Sequence, residues 1–381
     1  MTEETGGAFI FVDADGFLSG PPDEVPPPTV LQSSRKTGAF QSEFSMIHYL
    51  LRSSIVLRSD CPESSWNQFK DFSRGCAVQA ERLTGGWSKV PNPAWVGDVR
   101  QALKSSGKAN EATVNNIGVS FVLEPKIYAY CFPAQHRIEV SATAYNHLRT
   151  VNLLLWMAAG NIYQANPKHE ALEARENLIN MVKGETPDAG KTLIDMLLPF
   201  LFSLYFTNVN YSSLPILRAP DQETFMRAKL NALIQVQFLL AHEYAHLLLH
   251  EEKSSSSEME READVFAYEL LLGTDELWRD DTGRFLTAYR WLFLYLALDR
   301  IIGAVLSGYE IDWVDIPIRD RELAIYPLLG RNIRFITEEE RDCQTLGDAL
   351  LFQAKAKLHE RGTEWIRSAA MRFEEQHCFT P

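Results

Sequence analysis

The sequence predicts an α+β protein that is mainly α-helical, with one small antiparallel β-sheet. Three observations carry that expectation. Apolar residues recur at three- and four-residue spacing over most of the stretch from 44 to 374. β-favouring residues form three short runs between 119 and 140. There is neither an internal repeat nor the strand–helix alternation that builds a parallel sheet.

Residues 1–40 are rich in Pro, Gly, Ser and acids, with Pro21-Pro22 and Pro26-Pro27-Pro28 bracketing Asp23 and Glu24; a flexible Pro-rich arm is expected. Phe44, Ile47, Leu50, Leu51 and Val56 then share a helical face, a further helix covers Trp66 to Leu83, and Thr84-Gly85-Gly86 ends it. Val119–Leu123, Ile127–Phe132 and Ile138–Val140 read as strands separated by Glu124-Pro125 and Pro133–His136, so they predict an antiparallel meander. Helices are expected at Asn146–Ala159, Glu170–Val182 and Thr192–Tyr205, with a turn over Gly184–Gly190. A long helix should begin near Asp221, just after Pro220, and run through His250, with Leu230, Leu233, Ile234, Leu240 and Leu247 on its buried side. Ser254–Ser257 is a link to a helix over Glu258–Leu272, and helices at Thr282–Leu306 and Glu338–Glu374 follow. The chain thus divides into the arm, a helical region over 41–220 that contains the meander, and a helical region over 221–381 packed with it as one unit.

The 381 residues, 46% of them hydrophobic, suffice for a sizeable core. With 37 basic against 50 acidic residues the net charge is −13, and no Lys/Arg run forms a stripe that could track phosphates, so nucleic acid is not an expected partner. Cys61, Cys76, Cys131, Cys343 and Cys378 are odd in number and scattered, without a CxxC pair, which fits a reduced, cytoplasmic setting. No basic segment followed by an apolar one opens the sequence, so a standard secretion signal is not expected. Thr192–Phe206 and Phe285–Leu306 are apolar enough to raise the question of a membrane. Asp195 and Pro199 in the first, and Arg290, Asp299 and Arg300 in the second, argue for buried helices instead, since each central charge costs about 2.5–3.5 kcal/mol in a bilayer.

The functional signal lies in Ala241-His242-Glu243-Tyr244-Ala245-His246, followed by Glu260-Arg261-Glu262-Ala263-Asp264. Helix residues four apart are about 40° apart in azimuth and about 6 Å apart along the axis, so His242 and His246 offer their imidazoles to one ion. Glu243 then stands beside that ion, where it can take a proton from water as general base. The helix is apolar on both sides of the motif, at Phe238-Leu239-Leu240 and Leu247-Leu248-Leu249, so these polar groups would be buried and need a partner, which a metal supplies. His250 lies about 12 Å along the axis from His242, too far to join the same ion. Position 252 is Glu, not the third His of the metzincin pattern. A third ligand must come from Glu258, Glu260 or Glu262. Glu260 and Asp264 share a face, whereas Glu262 points about 200° from Glu260. Two acids on one face suit a ligand and an acid that orients a ligating histidine. Ser257-x-x-Glu260 also reads as a capping box, in which Glu260 would only close the helix end.

His242-Glu243-x-x-His246 with Glu260-x-x-Ala263-Asp264 resembles the gluzincin metallopeptidases. The stretch from His242 to Leu272 most resembles the ImmA/IrrE family, with parts shared by Lit-type phage-exclusion and HtpX-like peptidases. The resemblance implies a zincin-like helical core and a zinc metalloendopeptidase in which Glu260 is the third zinc ligand and Asp264 orients the site. It further implies an intracellular protein substrate in a stress, toxin or phage-defence setting. A zinc-stabilised binding or scaffold protein is the alternative. Tyr326-Pro327 with Arg331 resembles an HP…R element of related peptidases, but Tyr stands for its His and no role is assigned. The long region ahead of the motif and the lack of a helix-turn-helix signature set the chain apart from small repressor-cleaving members.

Tyr268, Tyr289 and Tyr326 are candidate donors to a developing oxyanion, and packing is the simpler role for each. The strands over 128–140 could offer an edge to an extended peptide. Phe11–Leu18 resembles the DxDG element of haloacid-dehalogenase-like phosphatases; the Pro-rich arm that follows it, in place of an αβ unit, argues against that fold.

Overall fold

Beyond a break in sequence pattern at Thr84-Gly85-Gly86, the first described helix, α1 (Ala94–Ser105), buries Trp95, Val96, Val99, Ala102 and Leu103 on one face. The computed structural model describes residues 94–165 (without 123–126, 128 and 142–143), 221–250, 256–272, 282–306, 315–329 and 346–360 (without 349). The arm, the Asp13–Gly16 motif, the expected helices at 44–57, 66–83, 170–182 and 192–205, and Arg331 lie outside these residues. Helix α2 (Glu111–Asn116) starts at Asn110, whose side chain accepts from the Thr113 N–H at 2.8 Å. Neither α1 nor α2 was anticipated from the sequence.

Strands β1 (Gly118–Val122), β2 (Ala129–Phe132) and β3 (Arg137–Ser141) form one sheet in the order β1-β3-β2. β2 pairs antiparallel with β3, but β1 pairs parallel with β3, so the expected antiparallel meander is corrected to a mixed sheet. Direction does alternate along the chain, as in a meander. The central place goes to β3, whose Ile138, Glu139, Val140 and Ser141 are all buried, whereas Tyr130 on β2 is 54% exposed and belongs at an edge. A 3₁₀ turn at Pro133–Gln135 joins β2 to β3, and His136 closes it in the left-handed region at φ 45°.

Helix α3 (Ala144–Ala165) leads on to α4 (Gln222–Leu249), α5 (Ser257–Leu272), α6 (Thr282–Leu306), α7 (Ile316–Ala324) and the short α8 (Tyr326–Leu329). Residues 350–360 are also helical. Asp221 caps α4 as its place after Pro220 suggests, accepting from the Thr224 N–H at 2.6 Å. Among the described residues helix α4 is the central element, touching α1, α3, α5, α6, β2 and β3. From Ile234 to His246 every residue but Leu239 is buried, so this segment is enclosed on all sides rather than amphipathic. Its polar residues therefore find partners. Asn152 Nδ2 on α3 donates to Gln235 Oε1 at 2.7 Å, and Gln235 Nε2 donates to the Ala288 carbonyl on α6 at 2.8 Å.

Helix α6 matches the expected Thr282–Leu306 and is buried along most of its length. Its Arg290 pairs with Glu322 on α7 at 2.8 Å and with Asp348 at 2.9 Å. Among the described residues no helix is long and apolar enough to cross a membrane.

Candidate metal centre

The last turns of α4 and the first turns of α5 face each other and bring together three of the residues singled out above. His242 Nε2 and His246 Nε2 are 3.0 Å apart. The Glu260 carboxylate closes the triangle, with Oε2 at 3.4 Å from His242 Nε2 and Oε1 at 3.4 Å from His246 Nε2. Zinc takes nitrogen and oxygen ligands at about 2.0–2.2 Å in a tetrahedron, which spaces the donors roughly 3.3 Å from one another. The three edges of 3.0, 3.4 and 3.4 Å suit that ion, and these residues are the described group of His, Cys, Asp and Glu able to hold a metal.

The neighbouring acids do other things. Glu258 and Glu262 are exposed, and Glu262 lies 3.6 Å from His250 Nε2. His250 caps the end of α4 and stacks at a tilt 5.5 Å from the His246 ring, outside the three-donor group. Ser256, not Ser257, caps α5, since its Oγ accepts from the Met259 N–H at 3.2 Å. The Glu260 side chain is turned instead to the imidazoles.

Asp264 is completely buried, one turn beyond Glu260, and its Oδ1 lies 2.8 Å from His242 Nδ1. At that distance the Asp264 charge acts directly on the ring. Burial alone would lower the His242 pKa; Asp264, then Glu260 and Glu243, outweigh it and hold the ring up at about 9. His242 would have to give up its Nε2 proton to hold a metal, and the same carboxylates would then favour the metal's positive charge. Asp264 itself is held ionised: burial pushes its pKa up, and Arg321 and His242 pull it below the ordinary value.

Arg321, on α7, was not singled out from the sequence. Its Nε and one terminal nitrogen donate to Asp264 at 2.8 and 2.9 Å, while the other terminal nitrogen lies 2.9 Å from Glu260 Oε2. Its pKa is raised, because these two carboxylates more than offset the effect of burial. The signal that could have found it is Asp264: an acid between Ala263 and Ala267 on an inward face requires a buried cation.

Glu243 is 8% exposed and lines a cleft of about 340 Å³ together with His242, His246, Glu260 and Arg321. Edge strand β2 forms the opposite wall with Ala129, Tyr130 and Cys131. Tyr289 does not reach the cleft; its hydroxyl donates to the Arg321 and Glu322 carbonyls at 3.5 and 3.4 Å, and its ring packs edge-on to Phe238. Tyr268 is buried beside Phe285, also away from the cleft. Both are packing residues. Tyr326 opens α8.

Residues 228–283 match the family model described as Peptidase_M78, the IrrE N-terminal-like domain. The matched stretch holds both motif helices and points to a metallopeptidase-type function; it stops short of α7 and Arg321. No curated protein and no solved structure matches the chain.

Proposed function

We propose that this protein is a zinc-dependent metalloendopeptidase that cuts a protein substrate inside the cell. The observation that carries the proposal is the triangle of His242, His246 and Glu260, with edges of 3.0 to 3.4 Å, in the same cleft as Glu243. His242, His246 and Glu260 would hold the metal, and Asp264 would orient His242. Zinc, when bound, supplies Lewis acidity that polarises a carbonyl and makes water acidic enough to be deprotonated near neutral pH.

The remaining work belongs to the chain. Glu243 takes a proton from water as its oxygen bonds to the scissile carbonyl carbon, and returns that proton to the amine nitrogen as the C–N bond breaks. Burial of the two imidazoles and Glu243 keeps bulk water from screening them. Strand β2 has one edge paired with β3 and lies along the cleft, which supports an extended peptide running beside it. The stress, toxin or phage-defence setting enters from the likeness of the motif to the ImmA/IrrE and Lit-type peptidases.

The test combines metal analysis with Glu243→Gln. The reconstituted wild type should bind one zinc per chain. Glu243→Gln should keep that stoichiometry while proteolysis falls by at least about 10²–10⁴-fold. Comparing the proteins cleaved in cells that express either form then names the substrate. No bound zinc removes the metal centre from the proposal, undiminished cleavage by the variant removes Glu243 as its general base, and a zinc-loaded wild type that cleaves nothing leaves only a zinc-stabilised scaffold.

A further inference from the structure

Arg321 joins the two carboxylates on which the candidate metal centre depends. Asp264 accepts from two of its nitrogens at 2.8 and 2.9 Å, and Glu260 Oε2 lies 2.9 Å from the third. Asp264 Oδ1, which receives one of those bonds, is also the atom 2.8 Å from His242 Nδ1. One guanidinium therefore touches a ligand candidate directly and reaches a second through a single carboxylate. Its planar fork fixes the direction of each bond as an ammonium could not.

The helix that carries the guanidinium is itself held. The Tyr289 hydroxyl on α6 donates to the backbone carbonyls of Arg321 and Glu322, Arg290 binds the Glu322 side chain at 2.8 Å, and the Phe293 ring lies 5.7 Å from the guanidinium carbon. Helix α6 thus sets where α7 stands, and α7 sets where Glu260 and Asp264 point. Neither Arg321 nor α7 falls within residues 228–283.

We infer that Arg321 is a positioning residue for the metal centre, and that a complete centre requires α7 as well as the two motif helices. This rests on the zinc reading of the site proposed above. Loss of the fork leaves Glu260 and His242 free to turn while the donors remain, so the expected effect is on metal affinity.

The experiment uses the full chain, stripped of metal and titrated with Zn²⁺ against a chromogenic chelator. Arg321→Lys keeps the cation that buried Asp264 needs and loses the fork; Arg321→Met loses both. Circular dichroism and the metal-free Tm report folding separately. The zinc Kd of folded Arg321→Lys should rise by about 10–100-fold, the range for groups that support metal ligands. The visible spectrum of its Co²⁺ form should differ from that of the wild type. An unchanged Kd and spectrum in folded Arg321→Lys, even with a lowered Tm, would assign Arg321 to stability alone and overturn the inference while leaving the zinc reading intact. A wild type that binds no zinc would remove both. Should Arg321→Met fail to fold, Arg321→Lys decides.

Discussion

Nδ1 of His242 and Oδ1 of Asp264 are 2.8 Å apart, although the two residues sit on different helices and Asp264 has no exposed surface. An acid there would keep the ring turned with Nε2 toward His246 and Glu260, and its charge would favour a cation at the ring. Asp264→Asn preserves the shape and removes the charge. Zinc affinity, measured by chelator competition, should fall by about 10–100-fold. Unaltered affinity in a folded variant would show that His242 needs no such hold.

His147 on α3 gives the fold a pH dependence of its own. It is fully buried next to Tyr295, and burial pushes its pKa from 6.5 down to about 3. In the unfolded chain the ring takes a proton below about pH 6.5, whereas in the folded protein it stays neutral until about pH 3. Between those values the unfolded state binds the extra proton, so this stabilising contribution is present above pH 6.5 and is lost as pH falls. The loss approaches about 1.4 kcal/mol per pH unit at its steepest. Urea unfolding over a series of pH values should give a shallower decline for His147→Gln than for the wild type. Parallel declines would contradict it, whatever the variant's stability at neutral pH.

Features encoded by neighbouring residues were legible in the sequence, and features that depend on distant partners were not. Pro220 and Asp221 mark the start of α4, and the structure begins that helix at Gln222. The alternation of β1, β2 and β3 in direction could be read from their spacing, but the order β1-β3-β2 depends on which strand is most buried. Helix α1 has a weak signal in the sequence, because Pro91 and Pro93 stand just ahead of it and Gly97 interrupts the apolar pattern of Trp95, Val96, Val99 and Leu103. In the centre, the four-residue interval between His242 and His246 is local. Arg321 is 57 residues from Asp264, and no periodicity connects them. Cys131 and Glu243 are likewise joined only by the packing of β2 on α4.

That last pair permits a test of the cleft by thiol chemistry. Cys131 is buried on β2 and faces Glu243; burial first, and then the Glu243 carboxylate, push its pKa up to about 12. Since the thiolate is the reactive form, a raised pKa makes Cys131 inert at neutral and mildly basic pH. At pH 8 only roughly one thiol in ten thousand is ionised at such a pKa, against about a quarter for an ordinary cysteine. Iodoacetamide followed by mass spectrometry should therefore leave Cys131 unmodified in the folded protein and modify it readily in urea. Glu243→Gln removes the nearby charge, so the pKa falls and labelling of the folded variant quickens by about tenfold for each pKa unit lost, until burial alone limits it. Equal labelling in folded protein and urea would mean that the Cys131 thiol of β2 is not buried against α4. Equal slow labelling in wild type and variant would instead separate Cys131 from Glu243, and with it the strand from the residue assigned the proton.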